Sequence, residues 1–139
     1  MQNSKHSAPA GTAVIVGRWQ LFHKGHETLL KAALAAAEQV IVVIGSAFRS
    51  RDVRNPFSWE ERQAMIQAAL PPEALGRVQF LPVRDYFDDD RWNAAVREGV
   101  RQLIGGQGPV TLVGFKKDHT SYYLDHFPTW VWQAVQQEF

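Results

Sequence analysis

The feature of the sequence that most constrains the fold is a strand-to-helix junction close to the amino terminus. A run of β-branched residues stops at Gly17, and apolar residues at helical spacing begin just past Gly25. The loop between them carries Arg18 and His23, and His26 lies at the start of the helix. The first amide groups of a helix lack intrahelical partners, and the helix dipole is positive at that end. We therefore predict an anion site, in which the two imidazoles and the guanidinium surround a phosphate group.

Apolar runs and helical patterns alternate along the rest of the chain. Runs rich in β-branched residues cover residues 14–17, 40–44, 78–83 and 110–113, and helical spacing covers residues 27–39, 58–70 and 91–104. Residues 129–136 can form a last, partly apolar strand. The alternation predicts an α/β protein with a Rossmann-like three-layer parallel sheet and right-handed crossovers. We expect one such domain over residues 13–139, preceded by a disordered tail over residues 1–12.

The composition limits the classes of partner. Of the 139 residues, 45% are hydrophobic and 21% are charged, with a formal net charge of +1. A charge this small gives no general attraction for nucleic acid or for a membrane surface, so anion binding must be local. The sequence contains no cysteine, which excludes disulfides and thiolate metal sites and fits a cytoplasmic protein. The composition leaves open whether the chain forms a homo-oligomer.

Polar residues follow four of the predicted strands, at the point where each strand ends. In open parallel sheets, ligands bind outside the carboxyl ends of the strands, at the switch in strand order. The loops after residues 16, 44, 83 and 113 should therefore converge on one site. These loops carry Arg18, His23 and His26; Ser46, Arg49 and Arg51; residues 85–92; and residues 116–121.

The segment HKGH at residues 23–26 is similar to the HxGH signature of the nucleotidylyltransferase superfamily. Members of this superfamily transfer a nucleoside monophosphate from a triphosphate to an acceptor and release pyrophosphate. The longer segment that starts at Gly17 resembles the GRFQPFHxGH form of nicotinamide mononucleotide adenylyltransferases, although Trp19 replaces Phe or Met and Leu21 replaces Pro. The resemblance covers about residues 13–130 and implies the nucleotidylyltransferase fold.

Two further segments carry the same resemblance. The segment from Arg54, with the sequence RNPF followed by Ser and a Glu-Arg pair, resembles the (D/N)PFTxxER segment of these adenylyltransferases. Residues 113–130 resemble the GxxKDxSSYYLxxFPxW segment that occurs where this domain precedes a Nudix hydrolase in bifunctional enzymes. The glutamate-rich helix of the Nudix half has no counterpart in the sequence.

The resemblance and the loop positions together assign residues to three roles. His23, His26 and Arg18 are the catalytic residues, which would hold the triphosphate and stabilise the departing pyrophosphate. ATP and its phosphates would contact Gly17, Arg51, Arg54, Gly114, Lys117 and Asp118. Nicotinamide mononucleotide would contact Trp19, Gln20, Asp85 and Trp92. Mg²⁺ is expected to arrive with ATP, and no protein ligand to a metal is assigned.

Two features have a second interpretation. Residues 88–90 are three aspartates that could hold a divalent cation, but an acidic cluster before a helix also caps it and complements its dipole, which we favour. Trp92 could pack in the core or stack its flat ring on a nicotinamide ring, and we favour stacking. Ser58 and Glu61 match a helix capping box, so we interpret them as caps and not as site residues.

These observations predict an adenylyltransferase that transfers AMP from ATP to nicotinamide mononucleotide, giving NAD and pyrophosphate. No residue is placed as a nucleophile for a covalent intermediate, so the acceptor phosphate is expected to attack the α-phosphorus directly. One alternative is an adenylyltransferase for another phosphate acceptor. The other is a non-catalytic module that senses adenine or pyridine nucleotides. The choice between the amide and the acid form of the mononucleotide stays open.

The end of the sequence lacks one element that the resemblance implies. Family members usually complete the triphosphate site with a segment similar to ISSTxxR after the last strand, and nothing after Thr129 matches it. We expect the chain to be a piece of a longer protein, the alternative being that His119, Thr120 and Ser121 serve instead. In the first case the chain should bind nicotinamide mononucleotide or NAD better than ATP and should turn over slowly.

Overall fold

A computed structural model of the chain describes residues 8–20, 23–106, 108–115, 127 and 129–135. They form β1 (Thr12–Gly17), α1 (Lys24–Ala36), β2 (Gln39–Ala47), α2 (Trp59–Ala69), a 3₁₀ helix (Pro72–Arg77), β3 (Val78–Arg84), α3 (Asp89–Ile104), β4 (Val110–Phe115) and β5 (Val131–Val135). The five strands make one sheet in the order β3-β2-β1-β4-β5, and every neighbouring pair is parallel.

The inner strand β2, which has a neighbour on each side, shows why the predicted strands are apolar throughout. Val40, Val42 and Ile44 belong to the core on the side of α1 and α2, whereas Ile41 and Val43 belong to the core on the side of α3. Because helices cover both faces of a parallel sheet, both faces of its central strands are buried. The predicted Rossmann-like three-layer fold is therefore confirmed.

The longest helix in the described ranges is α3, with 16 residues. None of the helices in that part of the chain is both long enough and apolar enough to span a bilayer.

The predicted helix caps are present. The amide of Glu61 donates to Ser58 Oγ (3.1 Å), and the amide of Ser58 donates to Glu61 Oε1 (2.9 Å), which completes the capping box of α2. Asp88 caps α3 by accepting from the amide of Asp90 (2.9 Å), so the acidic cluster serves as a cap, as we favoured. Gly105 ends α3 in the left-handed conformation, with φ 66°.

The amino-terminal segment is ordered further back than we predicted. The carbonyls of Pro9 and Gly11 accept hydrogen bonds from the amides of residues 38–39, at 2.8 and 3.2 Å. The first strand, β1, begins at the residue that follows Gly11. The expected disordered tail over residues 1–12 is therefore wrong for its last four residues, and residues 1–7 lie outside the described part of the chain.

The first helix begins and ends earlier than the predicted range of residues 27–39. It begins at Lys24 because His23 acts as its N-cap, and imidazole is not one of the usual capping groups. It ends at Ala36 because Ala37 is extended, with φ −157° and ψ 159°. Local helix propensity is outweighed here by the start of the next buried strand.

The 3₁₀ helix before β3, which we did not predict, ends at Arg77. The guanidinium of Arg77 donates to the carbonyls of Leu34 (2.6 Å), Ala37 (2.9 Å) and Glu38 (2.8 Å). Leu34 lies in the last turn of α1 and the other two residues follow it, where backbone acceptors lack partners within the helix. Arg77 therefore closes this end of α1 from a neighbouring element, at the amino ends of β2 and β3.

Candidate active site

The strand order reverses between β1 and β4, and a cleft of about 200 Å³ opens at this point. Gly17 and Gly114, near the carboxyl ends of these strands, line the cleft together with His26 and Leu29 from α1 and Trp132 from β5. Because glycine has no side chain, a ligand can approach the backbone of both strands closely. Open α/β sheets bind ligands at this position. The structure therefore brings Gly17, Gly114 and His26 together, as the positions of the loops predicted.

The two histidines of the HKGH segment form an unusual capping pair at the start of α1. His23 Nδ1 accepts from the amide of Gly25 (3.0 Å), and His26 Nδ1 accepts from the amide of His23 (3.3 Å). The two rings are stacked, with centroids 3.8 Å apart and planes at 21°. A neutral imidazole has one acceptor nitrogen and one N–H, so acceptance at Nδ1 places the proton on Nε2. The pair therefore offers two Nε2–H donors at the positive end of a helix.

The indole of Trp19 supports His26 from inside the protein. Its ring centroid lies 4.6 Å from that of His26, and its Nε1 donates to the carbonyl of Val43 (2.9 Å). Trp19 is 2% exposed and adopts a φ of 55°. A Cβ on Gly17 would lie 3.0 Å from this indole, which explains the glycine there. The ring and the N–H of Trp19 are thus used in the core, and its assignment to mononucleotide binding stays a prediction.

Gln20 joins the loop after β1 to the loop before α2. Its Oε1 accepts from the amide of Phe57 (3.1 Å), and its Nε2 donates to Asn55 Oδ1 (3.3 Å) and to the carbonyl of Phe57 (3.4 Å). Both ends of the amide are thus engaged by the protein. Its assignment to the mononucleotide stays a prediction, and the contacts observed are those of a residue that positions the adjoining loop.

Two of the predicted phosphate-binding arginines are neighbours, and the third is engaged elsewhere. Arg18 Nη2 donates to the carbonyl of Arg54 (3.3 Å), and both residues are exposed. Arg51 forms an ion pair with Glu61 (2.8 Å). The Ser58 amide and then Arg51 lower the pKa of Glu61 below its ordinary value. Arg51 is thus shared with this carboxylate, whereas Arg18 and Arg54 lie together.

Asp85, after β3, connects two loops at the carboxyl end of the sheet. Its Oδ1 accepts from Ser46 Oγ (2.8 Å), and its Oδ2 accepts from Arg49 Nη1 (2.7 Å). Arg49 also pairs with Asp52 (2.9 Å). The hydrogen bond to Asp85 is the largest of the effects that raise the pKa of Arg49. Both oxygens of Asp85 have protein partners, so its predicted contact with the mononucleotide would have to replace or share one of these bonds.

Trp92 lies in the first turn of α3 and is half-buried against the core on that side of the sheet. A Cβ on Gly45 would lie 3.9 Å from Trp92 Cζ2 and 4.0 Å from Arg18 Cγ. The indole and the aliphatic part of Arg18, a predicted catalytic residue, therefore both lie beside Gly45. Part of the ring packs in the core, as the alternative interpretation expected, and stacking on nicotinamide stays a prediction.

Arg62, on α2, contacts the loops that form the site, which the sequence analysis did not predict. It is 1% exposed, and its guanidinium donates to the carbonyls of Arg18 (2.7 Å), Gly45 (2.7 Å) and Ser46 (3.1 Å). Burial, and then the charge of Arg18, lowers the pKa of the Arg62 guanidinium. The Glu-Arg pair of the (D/N)PFTxxER-like segment was the available signal. This pair identifies the position of Arg62 in the sequence but does not indicate that its side chain is buried.

Two sets of predicted residues cannot be placed. Lys117 and Asp118, and the alternative residues His119, Thr120 and Ser121, lie outside the described residues, so their roles stay predictions. Within residues 8–20, 23–106, 108–115, 127 and 129–135, no group of three or more His, Asp or Glu side chains could hold a metal ion.

The parallel sheet, its switch-point cleft and the histidine pair at a helix start are typical of α/β proteins that bind nucleotides. The chain belongs to the cytidylyltransferase-like family, whose model matches residues 14–105. This match agrees with the superfamily that the HKGH segment indicated.

Two related proteins show which members of this family the chain resembles. It is 39% identical to a nicotinamide/nicotinic acid mononucleotide adenylyltransferase from Acinetobacter baylyi, over 84% of this chain and 62% of that protein. It is 38% identical to a nicotinamide-nucleotide adenylyltransferase from Ignicoccus hospitalis, over 76% of this chain and 64% of that protein. The predicted similarity to this group of enzymes is confirmed. The chain spans somewhat less than two thirds of the length of these two relatives.

A solved structure has the same fold. It is a bifunctional NMN adenylyltransferase/ADP ribose pyrophosphatase from Francisella tularensis, complexed with AMP and a manganese ion. The TM-score is 0.83 and the sequence identity 32%, over 93% of this chain and 38% of that one. The predicted similarity to the adenylyltransferase part of bifunctional proteins is thereby confirmed.

Proposed function

We propose that this chain carries the adenylyl-transfer activity of a nicotinamide-nucleotide adenylyltransferase. It transfers AMP from ATP to nicotinamide mononucleotide and releases NAD and pyrophosphate. The observation that carries the proposal is the stacked pair of His23 and His26, at the positive end of α1 and beside the switch-point cleft. The names of the related proteins support the choice of substrates. A cytoplasmic location remains a prediction from the cysteine-free sequence.

The reaction needs no covalent intermediate with the enzyme. An oxygen of the acceptor phosphate forms a bond to the α-phosphorus of ATP, and the bond from that phosphorus to the bridging oxygen breaks. The electron pair leaves with pyrophosphate. The enzyme contributes by holding both substrates and by neutralising charge that grows on the leaving group. The Nε2–H groups of the two histidines and the guanidinium of Arg18 supply these interactions.

The sheet order suggests where each nucleotide lies. The cleft between β1 and β4 has apolar walls at Leu29 and Trp132, which suit the base and sugar of ATP. Trp92 lies on the other side of β1, beside Gly45 at the end of β2, where it could stack on a flat cationic heterocycle. The two substrates would then meet at the histidine pair, between these two positions.

Mg²⁺ belongs to the ATP substrate in this proposal. The residues assigned to the triphosphate are imidazoles and guanidinium groups, whereas Mg²⁺ prefers oxygen ligands. The carboxylate of Asp85 is already engaged by Ser46 and Arg49. The ion would therefore be held mainly by phosphate oxygens. The manganese ion and AMP in the Francisella tularensis protein support the use of a divalent ion.

The test is to incubate the chain with ATP, Mg²⁺ and nicotinamide mononucleotide and to measure NAD and pyrophosphate together. We expect both products in equal amounts. Nicotinic acid mononucleotide and phosphopantetheine serve as competing acceptors in parallel reactions. Turnover with phosphopantetheine alone would contradict the nicotinamide assignment, and nucleotide binding by calorimetry without turnover would favour a sensing module.

Replacing Trp92 with alanine should weaken the binding of nicotinamide mononucleotide by about 1 kcal/mol, or somewhat more if the stacked ring is shielded from water. The affinity for ATP should change little, because the ring lies on the other side of β1. Calorimetric titration with each substrate measures the difference. Trp92→Phe, which keeps a smaller aromatic face, is the control and should lose less. Equal small losses for both substrates would show that Trp92 only packs in the core.

A further inference from the structure

The guanidinium of Arg62 binds backbone carbonyls from three segments. Its Nη1 donates to the carbonyls of Arg18 and Gly45, each at 2.7 Å, and its Nη2 donates to that of Ser46 at 3.1 Å. Its Nε donates to the carbonyl of Ser58, the N-cap of α2, at 3.1 Å. One buried side chain thus joins the loop after β1, the carboxyl-terminal part of β2 and the start of α2, and it uses all three of its nitrogens.

The segments that Arg62 holds include strained backbone. Ser46 has a φ of 51°, and Trp19, which follows Arg18, has a φ of 55°. Residues other than glycine keep such conformations only where the surrounding structure fixes them. The hydrogen bonds from Arg62 to the carbonyls of Arg18 and Ser46 are restraints of this kind. The restraint extends toward the histidine pair, because Trp19 packs against His26.

We propose that Arg62 is a positioning residue of the anion site, which fixes Arg18 and the end of β2 relative to the histidine pair without contacting a substrate. The inference rests on the proposed adenylyl transfer. The role is geometric, because a planar guanidinium directs its donors along fixed, divergent directions. A lysine has its donors on a single nitrogen, so it keeps the charge but cannot reach the same set of carbonyls.

Charge alone is the competing explanation for a cation at this position. A buried positive charge next to Arg18 raises the potential at the site and favours any bound phosphate. A lysine in place of Arg62 would raise the potential equally well, because it carries the same charge. The two explanations therefore predict different behaviour for Arg62→Lys, which makes this variant the informative one.

The test compares Arg62→Met and Arg62→Lys with Arg77→Met. Arg77 donates to three backbone carbonyls, compared with four for Arg62, but it does so at the amino ends of β2 and β3, away from the site. Arg77→Met therefore removes a comparable set of hydrogen bonds and controls for lost stability. Each variant is assayed for pyrophosphate release at a temperature at which circular dichroism shows it to be folded.

We expect kcat to fall about tenfold or more in both Arg62 variants and to stay within about twofold of the wild type in Arg77→Met. The KM for ATP should rise as well, because its triphosphate binds at the same anion site, whereas the KM for nicotinamide mononucleotide should change less. A wild-type kcat in Arg62→Lys would show that charge alone suffices and would overturn the positioning role. Equal losses in Arg62→Met and Arg77→Met would show that only stability is affected, which would overturn it as well.

A binding experiment separates this inference from the proposed function. Inorganic tripolyphosphate, titrated by calorimetry, probes the anion site without turnover. If the wild type binds tripolyphosphate but makes no NAD, the proposed function fails while the role of Arg62 is still decided by affinity. We expect affinity to fall about tenfold in both Arg62 variants and to be unchanged in Arg77→Met. Unchanged affinity in all three variants would contradict the inference.

Discussion

Replacing His26 with alanine should lower kcat for adenylyl transfer by about a hundredfold or more, a usual loss when a donor to developing charge is removed. His26 Nδ1 accepts from the amide of His23, so its Nε2–H is the group that can donate to the departing pyrophosphate. The KM for ATP should change less, because the interaction strengthens in the transition state. Steady-state pyrophosphate release over a range of ATP concentrations measures both constants.

Two further variants at this position separate the cap of α1 from the chemistry. Asparagine places a polar atom near Nδ1, so His26→Asn can keep the acceptor for the His23 amide while it loses the Nε2–H. Glutamine places an N–H near Nε2, so His26→Gln should recover part of kcat. A kcat for His26→Asn close to that of the wild type would show that the Nε2–H is not used in catalysis.

The second large effect is expected at Trp19, in stability. Trp19→Ala should lower the free energy of unfolding by about 3–5 kcal/mol, because it empties a buried site as large as an indole. It should also lower kcat, since the indole that packs on His26 is lost. Urea denaturation followed by circular dichroism gives the change in stability, and the pyrophosphate assay gives kcat on the folded fraction.

Trp19→Phe is the matched control, because phenylalanine is the residue that the resembling segment usually carries. It keeps an aromatic ring but loses the hydrogen bond from Nε1 to Val43 and part of the volume of the indole, at a cost of about 1–3 kcal/mol. Its kcat should stay near that of the wild type. A loss of stability as large as that of Trp19→Ala would show that the hydrogen bond, and not the packing of the ring, maintains the site.

The elements that could be predicted from sequence are those set by local pattern. The strands follow from β-branched runs that must be buried on both faces, as in β2. The caps at Ser58 and Asp88 follow from side chains that satisfy the first amides of a helix. The convergence of the loops follows from the geometry of parallel sheets, which brings Gly17, Gly114 and His26 to one cleft.

The parts of the site that could not be predicted depend on contacts between distant positions. The burial of the Trp19 side chain was not predicted, because its place in the segment says nothing of the Val43 carbonyl that accepts from its indole. The inward turn of Arg62 depends on carbonyls of residues 18 and 45–46, which the fold alone brings to it. His23 as an N-cap was missed because imidazole seldom serves in that position.

The two ends of α1 are secured in different ways, which bears on how the helix moves. Arg77 ties carbonyls at the carboxyl-terminal end of α1 to the neighbouring 3₁₀ helix, so that end can open only together with the start of β3. The opposite end is secured by the capping bonds of two side chains that are also the proposed ligand-binding groups. Local opening should therefore start at the histidine end, with the far end as a fixed pivot. The imidazoles can then adjust to an incoming nucleotide while the hydrophobic core stays closed.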